Sequence, residues 1–185
     1  YEMILSEELS LIAIQGPKAV KILEKIISGV SGLKFMNGGL FDYLNKNIYI
    51  TRSGYTGEDG FEISIKNDDA EVFVQKLIDE GASLIGLGAR DTLSLEAGLC
   101  LYGHDMDINK SPVEANLKWA ISKNRILEGG FIGFEKIKSQ IDKGVSKVRV
   151  GIKPEGRIIA REKTSIFSEN NKNIGEITSG TFGPS

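Results

Sequence analysis

The chain carries, from Thr51 to Ile65, the run Thr-Arg-Ser-Gly-Tyr-Thr-Gly-Glu-Asp-Gly-Phe-Glu-Ile-Ser-Ile, which places a glycine-rich loop between two strand-like segments. A simple β-hairpin needs one good turn, and Asp59-Gly60 supplies it. Gly54 and Gly57 are therefore more than the turn requires. We interpret these additional glycines as the mark of a loop whose backbone is shaped around another group.

The glycine-rich loop joins two predicted β-strands. Residues 48–51 lead into the loop and residues 61–65 leave it. Along the second segment apolar and polar residues alternate, so Phe61 is expected on one face of the sheet and Glu62 on the other. Residues 10–15 form a further apolar run, which predicts a buried strand near the start of the chain.

Helices and a β-rich region are predicted around these strands. Apolar residues at helical spacing predict a helix after Gly16-Pro17 and three more, over residues 70–78, 89–97 and 134–141. For the helix over 70–78, Asp68 and Glu71 have the spacing of an N-terminal capping box, and Gly81 has the position of a C-terminal stop. From residue 145 onward, short β-type runs separated by glycine and asparagine predict an all-β module.

Composition excludes several classes of protein. The 185 residues are 41% hydrophobic and 26% charged, which is typical of a globular chain with one domain and part of a second. No apolar run approaches about 18 residues, so no membrane span is expected. The net charge of -2 argues against a nucleic-acid binder that depends on phosphate attraction. Because the chain has one cysteine and one histidine, neither a multi-cysteine or histidine-rich metal centre nor a Ser-His-Asp triad is predicted.

Glu62 is the first candidate functional residue. Glutamate is disfavoured in the middle of a strand, and this one lies on the face opposite Phe61. An exposed acid pointing at solvent would explain it. Alternatively, a ligand covers that face and the carboxylate accepts two parallel hydrogen bonds from the amide-like edge of a flat heterocycle.

Tyr55 and Arg90 are the next candidates. Tyr55 lies on the loop between two glycines, where it could stack on a flat ring or fold back onto the core. Arg90 falls in the first turn of its predicted helix, where a cation opposes the helix dipole. A salt bridge with a neighbouring acid would explain Arg90, and so would contact with a ligand carboxylate or an acid in a site.

Four other side chains are interpreted more simply. His104 and Asp105 could form a base with its orienting acid, although a structural histidine is the commoner case. Cys100, between two leucines, is expected to be buried and inert, and Trp119 is expected in the core.

Many short motifs, taken together and in order, resemble one known family. They are Ile14-Gln-Gly-Pro17, the loop over residues 52–62, Ala89-Arg-Asp91, Leu95-Glu-Ala-Gly-Leu99, Tyr102-Gly103, Asp105, Pro112-Val-Glu-Ala115, Val150-Gly151 and Ile177-Thr-Ser-Gly180. The chain is similar through these motifs to the folate-binding aminomethyltransferases, the family of the T-protein of the glycine cleavage system. Ser94 departs from the pattern, because relatives often carry arginine there.

The resemblance implies an α+β fold, in which three small domains form a cloverleaf around a central folate site and the third is a β-barrel. It implies an α+β folate-binding region over residues 1–106 and a connecting segment with a helix over residues 107–144. Residues 145–185 would begin a C-terminal antiparallel β-barrel. The chain is expected to be a fragment that lacks the N-terminal part and the C-terminal end of the family pattern, and that is inactive alone.

The resemblance also implies an activity and a site. Glu62 would bind the pterin edge, Tyr55 would line the pocket and Arg90 would support the folate site. Tetrahydrofolate would accept a one-carbon unit from the aminomethyl-lipoyl arm of the partner H-protein, with release of ammonia and without a metal. No catalytic residue is assigned, because the family's functional aspartate belongs to the N-terminal half. The implied compartment is the cytoplasm, or the mitochondrial matrix in a eukaryote, with no nucleic-acid or membrane partner.

Two alternatives remain open at this point. The same pocket would serve a tetrahydrofolate-dependent demethylase or the folate domain of a sarcosine- or dimethylglycine-oxidising enzyme. A non-catalytic folate-binding or iron–sulfur assembly protein is the alternative from another class. Such a protein would be expected to carry a distinctive cysteine motif, and Cys100 does not stand in one.

Overall fold

The computed structural model describes residues 7–156 and 158–183, which form two compact units on either side of the bond between Ala97 and Gly98. No helix within these described residues is both long enough and apolar enough to cross a membrane. The three regions predicted from the sequence, divided near residues 106 and 144, stay a prediction.

A four-stranded antiparallel sheet organises the N-terminal unit. Its strands are β1 (Leu9–Gln15), β2 (Gly38–Tyr43), β3 (Lys46–Thr51) and β4 (Gly60–Lys66), in the spatial order β1-β4-β3-β2. The strands predicted over 10–15, 48–51 and 61–65 are therefore confirmed, while β2 was not predicted. A two-residue turn joins β2 to β3 with positive φ at both residues, and Leu44-Asn45 lacks the glycine that usually marks such a turn.

One face of the sheet forms the core beneath two helices. These are α1 (Ala19–Glu24) and α2 (Asn67–Asp79). The alternation predicted for β4 is confirmed, because Phe61, Ile63 and Ile65 are at most 1% exposed. Each such side chain contributes about 1.5–3 kcal/mol of hydrophobic free energy, and together they fix which face of β4 points away from the core.

Two helix ends differ from the sequence predictions. Helix α1 ends at Glu24, before Ile26 and Ile27, the last residues of the apolar pattern that predicted it. The Glu24 carboxylate accepts hydrogen bonds from the backbone N–H groups of Gly29 and Ser31, each at 2.7 Å, and so stabilises the turn that follows the helix. The predicted Asp68–Glu71 capping box is wrong. Strand β4 runs directly into α2, so the N-cap is Lys66 and Asp68 already lies inside the first turn.

The predicted end of α2 is confirmed. Gly81 ends α2 with φ +101°, and its N–H donates to the Ile78 carbonyl while that of Ala82 donates to the Leu77 carbonyl. These two bonds form a Schellman motif. Helix α3 (Leu87–Glu96) overlaps the predicted span over 89–97.

The side chain of Gln15, at the end of β1, holds the glycine-rich loop. Its amide nitrogen donates to the Ser53 carbonyl at 3.1 Å and the Phe61 carbonyl at 3.4 Å, and its amide oxygen accepts from the Thr56 hydroxyl at 3.0 Å. A Cβ placed on Gly54 would collide with this carboxamide. Glycine is therefore required there because the Gln15 side chain occupies the space.

Two further contacts fix the loop. Gly57 has φ +77°, and a Cβ there would lie 2.5 Å from the Cβ of Ala97, just beyond α3. At the base of the loop, the Arg52 guanidinium donates to both carboxylate oxygens of Asp59, at 2.9 and 2.7 Å. This bidentate hydrogen bonding with Arg52 lowers the pKa of Asp59 below its usual value.

The C-terminal unit contains short elements. They are a 3₁₀ turn (Lys118–Ala120), helices α4 (Lys123–Glu128) and α5 (Phe134–Lys143), and strands β5 (Ser165–Phe167) and β6 (Asn173–Glu176), which pair antiparallel. The helix predicted over 134–141 is confirmed, and α4 was not predicted. Among described residues from 145 onward, β5 and β6 are the strands found, so the β-barrel stays a prediction.

Partly buried hydrogen bonds hold the motif segments of the C-terminal unit. Asp105 is 5% exposed and accepts from the Leu101 N–H at 2.8 Å and the Thr178 hydroxyl at 2.6 Å, joining segments 73 residues apart. Ser111 and Glu114 exchange reciprocal side-chain-to-backbone bonds of the capping-box kind. Several motif residues of this unit therefore have structural roles.

Two expectations for the C-terminal unit need correction. Trp119, expected in the core, is 79% exposed, because the 3₁₀ turn over Lys118–Ala120 directs it outward. Cys100 is only partly buried. Burial nevertheless raises the pKa of its thiol, which disfavours the reactive thiolate.

The Gln15 contacts predict the effect of filling Gly54. The substitution Gly54→Ala should displace the Gln15 carboxamide and so break its three hydrogen bonds. Their combined loss should lower the free energy of unfolding of the N-terminal unit by about 1–3 kcal/mol. Urea denaturation and amide hydrogen exchange over residues 52–60 would measure it. In a Gln15→Ala background the same substitution should cost less than about 0.5 kcal/mol, because the obstruction is gone. An equal cost in both backgrounds would contradict this account.

Asp105 provides a corresponding prediction for the C-terminal unit. Asp105→Ala should lower stability by about 1–3 kcal/mol, because the Leu101 N–H and the Thr178 hydroxyl lose their acceptor in a buried place. Asp105→Asn should be milder, since an amide can accept from the N–H and donate to the hydroxyl. Hydrogen exchange at the Leu101 amide checks both variants, and unchanged protection in Asp105→Ala would refute the role.

Candidate functional site

Glu62 lies on the central strand β4, on the sheet face that points away from the helices. It is paired with Ala13 of β1 and Thr51 of β3, and it is partly buried. Neighbouring side chains on this face include Leu11 and Tyr49, which are 69% and 47% exposed. The carboxylate therefore rises from a rigid backbone onto an open, partly apolar surface, as the alternation of β4 predicts.

The Ser53 hydroxyl holds the Glu62 carboxylate, and the Thr51 hydroxyl in turn contacts Ser53. The Ser53 hydroxyl donates to Oε2 of Glu62 at 2.6 Å, a short distance typical of a charge-assisted bond. The Ser53 and Thr51 hydroxyl oxygens are 2.7 Å apart. Neither Thr51 nor Ser53 was predicted as a site residue. The alternation Thr51-Arg52-Ser53 could have indicated them, because it places both hydroxyls on the side of the sheet where Glu62 lies.

The structure brings Tyr55 and Arg90 together. The guanidinium carbon of Arg90, on α3, lies 5.3 Å from the centre of the Tyr55 ring, within the range of a cation–π contact. Both residues are partly buried. Arg90 thus lies against the Tyr55 ring and restrains it.

The Ser53–Glu62 pair and the Tyr55–Arg90 pair each have one member on the anchored loop. Ser53 and Tyr55 are two residues apart, so their Cα atoms lie within about 7 Å of each other. The loop backbone between them is held by the Gln15 contact to the Ser53 carbonyl. The loop therefore supplies a contact partner for Glu62 on β4 and for Arg90 on α3.

Other acids near the loop have structural partners or face solvent. Asp59 is matched by Arg52, and Glu58 is exposed. Ser94, on α3, donates its hydroxyl to the Asp91 carbonyl within its own helix. Glu62 consequently stands out as the acid of this region whose described side-chain partner is a neutral hydroxyl.

The polar residues of the C-terminal unit form a different arrangement from the predicted alternative. His104 contacts Glu162, with Nδ1 3.1 Å from Oε2, whereas both oxygens of Asp105 accept hydrogen bonds from Leu101 and Thr178. The His104–Asp105 pair is therefore not formed. Within the part of the chain that the structure describes, no three His, Cys, Asp or Glu residues are grouped to hold a metal ion.

An open groove of about 520 Å³ lies in the C-terminal unit. Apolar side chains such as Ile121 and Phe131 line it, together with the cations Lys110, Arg125 and Lys136. None of the three candidate residues lines it. Among its described lining residues Ser111 is the buried polar one, and its hydroxyl accepts a hydrogen bond from the Glu114 N–H, so the loop region remains the candidate site.

Comparison with known proteins gives consistent matches. The family model described as the GCVT N-terminal domain matches residues 3–125. A mitochondrial aminomethyltransferase of Solanum tuberosum is 46% identical over 182 residues, which cover 96% of this chain and 45% of the relative. One from Dictyostelium discoideum is 45% identical over 193 residues, covering 98% of this chain and 48% of the relative.

A solved structure extends the match to the fold. The glycine cleavage system aminomethyltransferase T from Bartonella henselae superposes with a TM-score of 0.88 and 41% identity, over 95% of this chain and 48% of that one. The chain thus has an α+β fold shared with that enzyme, and it spans about half the length of the relatives it matches. Since the family model covers more than half of the residues, the chain belongs to the GCVT N-terminal domain family.

Proposed function

We propose that this chain supplies the folate-binding region of an aminomethyltransferase of the glycine cleavage system. The observation that carries the proposal is the Glu62 carboxylate, held by Ser53 on the open face of the sheet. The relatives from Solanum tuberosum and Dictyostelium discoideum bear the name aminomethyltransferase, which favours this activity over demethylation or non-catalytic folate binding. The enzyme would pass a one-carbon unit from aminomethyl-lipoyl H-protein to tetrahydrofolate and release ammonia.

The geometry at Glu62 fits a pterin. A pterin edge presents adjacent N–H and amino donors, and a carboxylate can accept two parallel hydrogen bonds. An ionised carboxylate offers about four lone-pair sites, of which the described Ser53 bond takes one on Oε2. The remaining sites suffice for a bidentate contact, and the exposed side chains of Leu11 and Tyr49 offer an apolar surface near a flat ring.

Tyr55 and Arg90 complete the proposed site as a pair. Arg90 restrains the Tyr55 ring from one side, so Tyr55 can line the pocket with a fixed orientation. Arg90 would support the folate site through Tyr55.

The contribution of this chain to the reaction would be orientation. Tetrahydrofolate supplies the nitrogens that accept the one-carbon unit, while Glu62 fixes the ring that carries them. Holding the acceptor in one orientation removes much of the entropic barrier to reaction with the lipoyl arm of the partner. No described residue is assigned as the acid or base, and the proposed site uses no metal.

Other features of the complete protein belong to the same proposal. The region from residue 145 would begin a C-terminal β-barrel, of which β5 and β6 would form a first hairpin. The compartment would be the cytoplasm, or the mitochondrial matrix in a eukaryote, and the relatives from Solanum tuberosum and Dictyostelium discoideum are named mitochondrial.

The first test replaces Glu62 by glutamine. Glu62→Gln should weaken tetrahydrofolate binding by about 10- to 100-fold, because charge-assisted bonds are lost and an amide donor can face the donor edge of the pterin. Anaerobic calorimetric titration of the full-length protein measures this. Ser64→Ala is a matched control, on the same face of β4 two residues away, and should bind as the parent does. Unchanged affinity in Glu62→Gln would remove Glu62 from the site.

The second test concerns Arg90. Arg90→Ala should weaken tetrahydrofolate binding about two- to fivefold, the scale of one partly exposed cation–π contact. Tyr55→Phe keeps the ring and should preserve the contact, so in that background Arg90→Ala should have the same effect. In a Tyr55→Ala background the effect of Arg90→Ala should vanish. If binding and turnover of Arg90→Ala match the parent, Arg90 has no role in the site.

A further inference from the structure

The hydroxyls of Thr51 and Ser53 form a directed chain that ends at Glu62. Each hydroxyl has a single hydrogen to donate. Ser53 directs its hydrogen to Oε2 of Glu62, at 2.6 Å. The hydrogen of Thr51 has two acceptors within reach, the Ser53 hydroxyl at 2.7 Å and the Glu62 carbonyl at 3.5 Å, and the much shorter contact to Ser53 is the stronger bond. The chain of hydroxyls therefore runs from Thr51 to Ser53 to Glu62.

Rigid backbone holds both ends of this chain. Thr51 and Glu62 are directly opposed residues in the pairing of β3 with β4. Between them, the Ser53 carbonyl accepts a hydrogen bond from the Gln15 side chain at 3.1 Å. The adjoining Gly54 leaves no room for a Cβ beside that carboxamide. The Ser53 hydroxyl is consequently presented to Glu62 from an anchored position.

We propose that Ser53 is a positioning residue for Glu62, and that Thr51 in turn orients Ser53. This inference rests on the proposed function, in which Glu62 binds the donor edge of a pterin. By holding Oε2, Ser53 fixes the side-chain rotamer and the plane of the carboxylate. The lone pairs that remain are then directed to the open face before the ligand arrives.

The physical gain is preorganisation. A glutamate has three rotatable side-chain bonds, and ordering such a side chain opposes binding. Because Ser53 restrains Glu62 in the folded protein, this side-chain entropy is lost during folding and not when the ligand binds. A bidentate contact is more sensitive than a single hydrogen bond, because both oxygens must lie in the plane of the donor edge.

The test compares Ser53→Ala with Ser53→Thr in the full-length protein. Ser53→Ala should weaken tetrahydrofolate binding about 5- to 10-fold, the scale of one ordinary hydrogen bond, because the serine acts on the ligand only through Glu62. Ser53→Thr keeps the hydroxyl and should bind within about twofold of the parent on the same scale. Thr51→Val, one step further from Glu62, should cause a smaller loss of about two- to threefold. Anaerobic calorimetry gives each affinity.

A double-mutant cycle with Glu62→Gln separates this role from a general effect on the loop. A residue that acts through Glu62 should matter little once the carboxylate is gone, so Ser53→Ala should then change affinity by less than about twofold. Amide exchange over residues 54–60 should be the same in Ser53→Ala and the parent. These results would support the inference.

Other outcomes would overturn it. Parent-like affinity in Ser53→Ala, with weakened binding in Glu62→Gln, refutes the role of Ser53 and leaves the proposed function intact. An equal loss from Ser53→Ala with Glu62 or Gln at position 62 shows that the serine acts on the loop instead. Unchanged binding in Glu62→Gln itself would defeat the proposed function, and the inference with it.

Discussion

The side chain of Gln15 is the contact on which the rest of the candidate site depends. Its carboxamide joins the end of β1 to three points of the glycine-rich loop: the Ser53 carbonyl, the Thr56 hydroxyl and the Phe61 carbonyl. A loop with several glycines would ordinarily be mobile, because glycine restricts the backbone least. Here glycine serves the opposite purpose, since the missing Cβ of Gly54 lets a neighbouring side chain enter and restrain the loop.

This constraint explains why strand, loop and helix contribute to one site. Strand β4 places Glu62 on an inner strand of the sheet, and the loop brings the Ser53 hydroxyl to its carboxylate. Gly57 lies close to Ala97, next to the end of the helix that carries Arg90. Displacement of the loop would therefore disturb both Glu62, through Ser53, and the contact of Tyr55 with Arg90.

Local patterns predicted much of this fold, and contacts distant in sequence account for most of the rest. The alternation of Phe61 and Ile63 with polar residues was sufficient to assign the faces of β4, and Gly81 was sufficient to end α2. The additional glycines were interpreted as a loop shaped around another group. The sequence could not show that the Gln15 side chain, about forty residues upstream, is the group that Gly54 accommodates. The Ser53–Glu62 bond was likewise hidden, because it depends on the register of β3 against β4.

Two acids near the loop, Asp59 and Glu62, have different kinds of partner. Asp59 is met by a guanidinium that binds both of its oxygens and lowers its pKa, so its charge is neutralised within the loop. Glu62 is met by the Ser53 hydroxyl, which orients a carboxylate without cancelling its charge. A mid-strand glutamate is unfavourable for the strand itself, and an oriented charge on an open face stabilises the fold less than an ion pair would. Such a group is suited to a ligand that brings its own donors, and the donor edge of a pterin has that property.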